Sequence, residues 1–156
     1  MAEKLGFASC IVGDLFFGIE VAQVQEVTRG GRLTRMPLAA SRVCGLLNLR
    51  GQIVAVIDLR QWLHLSERPA GEVPVHVILQ TDDGCVSLLV DRVGDVLEVD
   101  ERDFEWPPDT MRGRTRELIR GEYKLDGGLL LALDTEKILN EMEQTLDRGE
   151  LQCSST

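Results

Sequence analysis

Apolar and polar residues alternate along most of this chain in short runs, a pattern typical of half-buried β-strands. The alternation predicts ten short strands and one further extended segment at 33–37, where Pro37 disfavours a helix. The predicted strands cover residues 7–12, 15–20, 24–27, 44–49, 52–57, 75–81, 85–90, 93–99, 118–124 and 129–133. Gly and Asp occupy several of the intervening turns, and both tolerate the positive φ of tight turns. The pattern therefore predicts a succession of β-hairpins.

Helical segments are few and short. Residues 58–63 predict a helix with Asp58 as its N-cap, residues 39–43 predict a single helical turn, and residues 136–146 predict a closing amphipathic helix. Residues 100–116 are polar and are predicted to form a long loop. Because no long helix separates the strands, the chain predicts an all-β fold built from barrels, with a single β-sandwich as the alternative.

Length and composition narrow the class of protein. The chain has 156 residues, 44% of them hydrophobic, and a formal net charge of −9. This length suits one domain or two small ones that share a core. An acidic chain with few aromatics is a poor match for phosphate backbones, so no nucleic-acid partner is predicted. The apolar runs are too short to cross a bilayer and the N-terminus lacks a signal peptide, so we expect a cytoplasmic protein without membrane insertion.

The charge is distributed unevenly along the chain. The first 65 residues carry a net charge of +2, which leaves −11 for the rest. Arg29, Arg32 and Arg35 lie in one connecting stretch, with Arg42 beyond it. This stretch is either a solvated loop or a basic rim that meets an acidic partner surface.

Side chains suited to catalysis or metal binding are sparse. The cysteines are Cys10, Cys44, Cys85 and Cys153, and the histidines are His64 and His76. No two cysteines have the spacing of a zinc or redox pair, and phosphate-binding and nucleophile-elbow motifs are absent. We therefore predict no metal, no cofactor and no catalytic residue. A small enzyme using His64 or His76 is the less favoured alternative, because each histidine suits a structural position.

One polar cluster interrupts the most hydrophobic region of the chain. Asn48 and Arg50 lie between two apolar strands, and Gly51 permits a bend there because it tolerates a positive φ. Burying an unpaired guanidinium is costly, so Arg50 either pairs internally, with Asp58 or Glu26, or projects from the bend to bind a partner. The local chemistry leaves both interpretations open.

The same region carries a family resemblance. Residues 45–54 read Gly-Leu-Leu-Asn-Leu-Arg-Gly-Gln-Ile-Val and residues 56–60 read Val-Ile-Asp-Leu-Arg. Val-Gln-Glu-Val at 24–27 precedes them, and Val-Asp-Arg-Val at 90–93 follows. This ordered set of motifs resembles the CheW family, the coupling proteins of bacterial chemosensory arrays, and the resemblance covers about residues 6–146.

The resemblance implies a fold and a function. The implied fold has two five-stranded SH3-like β-barrels around a shared core, with a C-terminal helix. Residues 1–146 are expected to form one domain, with subdomains at roughly 15–65 and 75–135, and residues 147–156 to form a flexible tail. The implied function is a non-catalytic adaptor between the cytoplasmic tips of methyl-accepting receptors and the regulatory domain of a CheA-type histidine kinase, recruited to membrane-associated receptor arrays.

The motifs also imply site residues. The expected receptor-binding residues are Arg50, Asn48, Gly45, Gly51, Val24 and Glu26. The expected kinase-binding residues are Leu46, Ile53, Arg32 and Arg35. A regulatory module of a kinase pathway without receptor contact is the alternative function, and the receptor class remains open.

Overall fold

β-Strands build most of the structure, as the alternation of apolar and polar residues predicts. The computed structural model describes residues 4–29, 32–35, 43–82, 84–111 and 113–147. Its strands are β1 (Lys4–Val12), β2 (Leu15–Glu20), β3 (Val24–Thr28), β4 (Arg32–Arg35), β5 (Gly45–Leu49), β6 (Gln52–Asp58), β7 (Val75–Thr81), β8 (Gly84–Val90), β9 (Arg92–Asp100), β10 (Phe104–Glu105), β11 (Ile119–Leu125) and β12 (Gly128–Leu133). The predicted all-β class is confirmed.

The helices are short, apart from the one that closes the chain. They are α1 (Leu59–Trp62), α2 (Arg114–Leu118) and α3 (Thr135–Asp147), with 3₁₀ turns at Val21–Gln23 and Glu101–Asp103. Asp58 caps α1 as predicted, because its side chain accepts a hydrogen bond from the Arg60 N–H. Among the described residues, no helix has the length and apolar character needed to cross a bilayer.

The strands form two sheets that divide the chain unevenly. Sheet I has the order β10-β11-β12-β2-β1-β9, and sheet II has the order β3-β7-β8-β6-β5-β4. Sheet II thus consists of the consecutive strands β3 to β8. Sheet I combines the strands that come before them, β1 and β2, with those that follow, β9 to β12. Because β7 and β8 pair with β3 and β6, the sheets do not separate at the 65–74 connection. The subdomain limits of 15–65 and 75–135 stay a prediction.

Three hydrophobic clusters form the core. The largest combines residues of both sheets and the helices, among them Phe17, Ile57, Trp62 and Ile138. A second cluster consists of residues in or next to the strands of sheet II, and a third consists of residues of sheet I. Each sheet therefore encloses its own apolar centre and shares a larger one with the other sheet, as expected for two SH3-like subdomains.

Some details differ from the predictions. Within the described ranges, each sheet has six strands where the resemblance implied five. The predicted loop at 100–116 contains a 3₁₀ turn, strand β10 and the start of α2, because tertiary contacts order a polar segment that has no periodic pattern. The helical turn predicted at 39–43 and the flexible tail predicted at 147–156 lie outside the described residues, except for Val43 and for Asp147, the last residue of α3.

Candidate partner-binding site

The tip of the β5–β6 hairpin presents Arg50. Leu49 pairs with Gln52, which leaves Arg50 and Gly51 as a two-residue turn with φ values of 52° and 86°. Positive φ at both positions is the requirement of a type I′ turn. Asn48 supports this turn, because its Oδ1 accepts a hydrogen bond from the Gly51 N–H at 3.0 Å. The bend predicted at Gly51 is confirmed, and it places Arg50 at the end of the sheet.

Arg50 forms an ion pair with Glu26 of β3. The guanidinium Nη2 donates to Oε1 of Glu26 and Nη1 donates to Oε2, the latter at 3.3 Å. The hydrogen bond from Arg50 lowers the pKa of Glu26. The Arg50 side chain is nevertheless 67% exposed. Arg50 therefore pairs internally and faces outward at the same time, and its partner is Glu26, while Asp58 pairs with Arg68.

This ion pair joins strands that are not neighbours. β3 is at one edge of sheet II, and β7 and β8 separate it from β6. A contact between Glu26 and the β5–β6 turn therefore requires a strongly curved sheet, as in a small barrel. The pair therefore connects β3 to the β5–β6 turn at one end of the curved sheet and leaves the Arg50 guanidinium exposed there.

A row of register partners crosses one face of sheet II. It consists of Val24, Leu79, Val86, Ala55, Leu46 and Thr34, one residue from each strand. Register partners point to the same side of a sheet. Leu79 and Val86 are buried in the middle of the row, and Leu46 is exposed towards its end. Val24 and Leu46, which were predicted to bind different partners, thus lie on the same face, with three strands between them.

A second row lies on the opposite face. It consists of Glu26, Ile78, Ser87, Val56, Gly45 and Arg35. The pairing of β3 shifts between Val24 and Glu26, which is a bulge, and this shift turns the two residues to opposite faces. Regular alternation would place them on one face. The predicted receptor-binding set is therefore divided between the two faces of sheet II, with Arg50 at their common end.

Four residues on the face of the first row, which contains Leu46, form one exposed patch. We call Arg32, Leu46, Asn48 and Ile53 the hairpin patch. Asn48 is the register partner of both Arg32 and Ile53, and Ile53 is 60% exposed. Exposed aliphatic side chains next to polar ones are a common composition of protein-binding surfaces. Arg35, predicted with this group, is exposed but faces the opposite side of the sheet.

Gly45 has a packing function in this structure. It is buried, and a Cβ at this position would lie 2.5 Å from the Thr34 carbonyl oxygen and 3.2 Å from the Arg35 Cα. Both are backbone atoms of β4, so the strand would have to move. Gly45 therefore allows β4 to pair closely with β5 and so supports the hairpin patch.

A buried ion-pair network at the other end of β6 was missed by sequence reasoning. Asp91, between β8 and β9, accepts hydrogen bonds from Arg60 Nε and Nη2 at 2.8 and 2.7 Å and from Arg68 Nε at 2.8 Å. It also accepts one from the Gly13 N–H at 2.7 Å, and Arg68 contacts Asp58 at 3.3 Å. Burial would raise the pKa of Asp91, but these hydrogen bonds outweigh burial and hold it well below its usual value.

The network ties together segments that are distant in the chain. Gly13 belongs to the β1–β2 turn of sheet I, Asp58 ends β6 of sheet II, and Arg68 lies in the 65–74 connection. The only sequence signal was indirect, because Asp58, Arg60 and Asp91 belong to the motifs that carry the family resemblance. Their role in holding the sheets together became clear from the structure alone.

The histidines of the enzyme alternative and the buried cysteines lie in surroundings that suit structural roles. His76 is buried on β7, where its Nδ1 lies 2.9 Å from Ser87 Oγ, and burial lowers the pKa of His76. His64 is exposed after α1. Burial raises the pKa of the Cys10 thiol to about 12 and contributes most to raising that of Cys44 to about 11, which disfavours reactive thiolates. Across the described ranges, no three His, Cys, Asp or Glu side chains are grouped to hold a metal ion.

Comparison with known proteins gives one consistent family. Residues 7–143 match the CheW-like domain. The chain is 31% identical over 125 residues to the chemotaxis protein CheW of Bacillus subtilis, covering 80% of each chain. It is 28% identical over 145 residues to the CheW of Treponema pallidum, covering 90% of this chain and 85% of that one. The scaffolding protein TtCheW from Thermoanaerobacter tengcongensis has a similar fold, with a TM-score of 0.74, 24% identity, and coverage of 85% of this chain and 90% of that chain.

Proposed function

Since the chain belongs to the CheW-like domain family and is a non-catalytic adaptor in chemotaxis signalling, we propose that it couples methyl-accepting receptors to a CheA-type histidine kinase. The adaptor holds the receptor tip at the Arg50–Glu26 end of sheet II and the kinase regulatory domain at the hairpin patch. It joins receptor arrays on the cytoplasmic side of the membrane through these two contacts. The observation that carries the proposal is the exposed Arg50 guanidinium, held in position by Glu26.

The Arg50–Glu26 pair suits recognition of a helical receptor tip. Arginine has five N–H groups, and the contacts with Glu26 use one on each terminal nitrogen. The remaining groups can donate to a carboxylate on a receptor helix in a planar, bidentate geometry. Val27, exposed next to Glu26 on the edge strand β3, offers apolar surface at the same edge, whereas Val24 packs partly against the largest core cluster and supports this strand. A charged anchor beside apolar contacts is a common arrangement at binding hot spots.

The other predicted receptor residues act indirectly in this proposal. Asn48 and Gly51 form the turn that carries Arg50, and Gly45 permits the close pairing of β4 with β5. Substitutions at these three positions therefore weaken receptor binding by moving Arg50 or by destabilising β4 and β5. Arg50 and Glu26 themselves are the groups that contact the partner.

The hairpin patch suits contact with another small barrel. Ile53 and Leu46 supply the apolar centre, and Arg32 supplies a positive charge at its edge. This side of sheet II ends in β4, an edge strand with two arginines and no hydrophobic residue other than Leu33. The patch lies on one face of the β5–β6 hairpin, while Arg50 at its tip pairs across to Glu26 of β3, so in this proposal the two partners approach the hairpin from different sides. Arg35 faces away from the patch and has a smaller part in this contact.

We further propose that residues 1–146 form one domain. The largest core cluster contains residues of β1, both sheets and α3, so separating the sheets would expose it. A rigid adaptor can transmit a displacement of the receptor tip to the kinase through a fixed geometry. This makes the relative position of its two contacts part of its function.

A charge-reversal experiment tests the receptor contact. Arg50→Glu and Glu26→Arg each remove the ion pair, and the double variant restores it with the charges exchanged. We expect all three proteins to keep the wild-type circular-dichroism melt closely, because the pair is exposed. Co-sedimentation with a receptor cytoplasmic fragment should be lost for Arg50→Glu and remain lost in the double variant, because the outward charge is still reversed.

The outcomes separate recognition from structure. Recovery of receptor binding in the double variant would show that the pair is structural and would refute the proposed contact. Arg102→Glu is the matched control, because Arg102 is also an exposed arginine in an ion pair, with Asp100, but lies at the end of β9. It should bind receptor as the wild type does.

A second experiment tests the kinase contact separately. Ile53→Glu places a charge in the centre of the hairpin patch and should abolish pull-down of a CheA regulatory domain, while receptor co-sedimentation is retained. Val96→Glu on β9 is the control, because Val96 has a similar exposure of 62% on sheet I. Kinase binding unaffected by Ile53→Glu, or lost equally in Val96→Glu, would contradict the assignment.

A further inference from the structure

A separate cavity of about 330 Å³ opens on sheet I. Its lining consists of Leu5, Glu20, Glu101, Phe104, Trp106, Arg120 and Tyr123. None of these residues belongs to the Arg50–Glu26 pair or to the hairpin patch. We call this cavity the Trp106 pocket, after the residue that dominates its exposed rim.

Aromatic rings form one side of the Trp106 pocket. Trp106 is 75% exposed, although a tryptophan side chain is a large apolar surface. Its ring meets Phe104 edge-on, with centroids 5.0 Å apart, and Phe104 contacts Tyr123 at 5.3 Å. The tryptophan is thus supported by a packed aromatic cluster and at the same time offers a ring face to solvent.

The fold provides specifically for this cluster. Phe104 pairs in register with Tyr123, and its ring lies over Gly121 of β11. A Cβ at Gly121 would be 2.3 Å from the Phe104 ring, so any larger residue would displace the ring. The aromatic wall therefore depends on a glycine in the neighbouring strand.

Carboxylates give the Trp106 pocket a negative charge. Glu20 pairs with Arg120 at 2.9 Å, which neutralises one carboxylate of the lining. Glu101 is exposed, and its side chain forms no hydrogen bond or ion pair with the described part of the chain. Residues after position 65 also carry the net charge of −11. A positively charged group would meet a favourable potential here, whereas an anion would be repelled.

We propose that the Trp106 pocket binds an arginine side chain of a partner protein. A guanidinium is planar and weakly hydrated, so it stacks on the exposed indole face while its N–H groups donate to the Glu101 carboxylate. Tryptophan is the aromatic side chain that binds cations most strongly. The pocket is independent of the receptor and kinase contacts proposed above, and it gives the adaptor a third surface, on sheet I.

The two tryptophans make the test direct. Trp62 is 2% exposed, so it serves as an internal reference for Trp106 in the NMR spectrum of the whole chain, where each indole N–H gives one signal. The chain is titrated with the peptide acetyl-Gly-Arg-Gly-amide and, separately, with the same peptide carrying citrulline, a neutral analogue of arginine. We expect a saturable shift of the Trp106 signal with the arginine peptide only, with a Kd on the order of millimolar for a single side chain.

Variants identify the groups involved. Glu101→Gln keeps the shape of the side chain and should weaken binding of the arginine peptide about tenfold, because a charge-assisted hydrogen bond is lost. Asp126→Asn removes an exposed charge from the β11–β12 turn and should leave the affinity unchanged. Trp106→Leu should abolish binding, which can be followed at the backbone amide of Gly121.

Three results of the peptide titrations would overturn the proposal. They are equal shifts with arginine and citrulline, no saturable shift of Trp106 with either peptide, or full affinity in Glu101→Gln. A shift of Trp106 that depends on protein concentration alone would mean that arginines of a second copy occupy the pocket, and would refute a distinct partner. None of these results bears on the receptor or kinase experiments, which use other residues.

Discussion

Asp91→Asn tests how strongly the buried ion-pair network holds the two sheets together. The substitution keeps the size of the side chain and removes its charge. Arg60 would lose its carboxylate partner, and Arg68 would keep only its longer contact with Asp58. Because both guanidiniums are nearly buried, water can replace the lost carboxylate only in part.

The expected loss can be estimated from the geometry. Removing one partner of a buried ion pair costs about 3–5 kcal/mol. An asparagine at position 91 can still accept a hydrogen bond, and Asp58 still compensates Arg68, so we expect a loss of about 3 kcal/mol, near the lower end. For a chain of this length, this corresponds to a melting temperature lower by about 6–12 °C.

The assay is urea unfolding followed by circular dichroism, repeated over a range of pH. The native pKa of Asp91 is lowered relative to the unfolded chain, so its stabilising effect is fully present above the unfolded pKa of about 3.9 and is lost as the pH falls through the native value. The difference between wild type and Asp91→Asn should therefore be constant from about pH 7 to 5 and decrease below about pH 4.

A loss of less than about 1 kcal/mol would refute the reasoning, because it would mean that desolvation of the ions cancels their attraction. A difference that is independent of pH would show that the effect is not due to the charge of Asp91. Asp126→Asn is the matched control. It removes an exposed carboxylate in a turn and should change the stability by less than about 0.5 kcal/mol.

Two pairs of variants test other assignments. Gly45→Ala places a methyl group against the Thr34 carbonyl and should cost about 2–3 kcal/mol, whereas Gly51→Ala meets open space and should cost about 1 kcal/mol for its positive φ. Equal losses in urea unfolding would contradict these roles. Burial lowers the native pKa of His76, so folding loses stability as the pH falls below the unfolded value of about 6.5. His76→Gln should flatten the decline in unfolding free energy between about pH 7 and 5, while the exposed His64→Asn should keep it; an unchanged slope in His76→Gln would refute the buried-histidine effect.

Much of the fold could be predicted because it depends on nearby residues. The β1–β2, β7–β8 and β11–β12 hairpins, the cap at Asp58 and the bend at Gly51 follow from alternation and from residues with special φ requirements. The segment from Glu101 to Glu105 could not be predicted in this way. Its order comes from the packing of Phe104 over Gly121, a contact between residues far apart in the chain.

The candidate site shows the same limit. The sequence alone left open whether Arg50 pairs internally, with Glu26 or Asp58, or projects towards a partner. The structure pairs it with Glu26, because the curvature of sheet II brings β3 to the β5–β6 turn, and leaves it exposed. The bulge in β3 divided the predicted receptor residues between two faces, and the Asp91 network was assembled from three distant segments.

The sequence by itself determined the all-β class, the hairpins and the family to which the chain belongs. Only the tertiary structure decided which side chains meet, because strand register, bulges and sheet curvature depend on contacts between residues far apart in the chain. Secondary-structure propensity acts over a few neighbouring residues. An ion pair such as Arg50–Glu26 depends instead on how the whole of sheet II positions β3 relative to the β5–β6 turn.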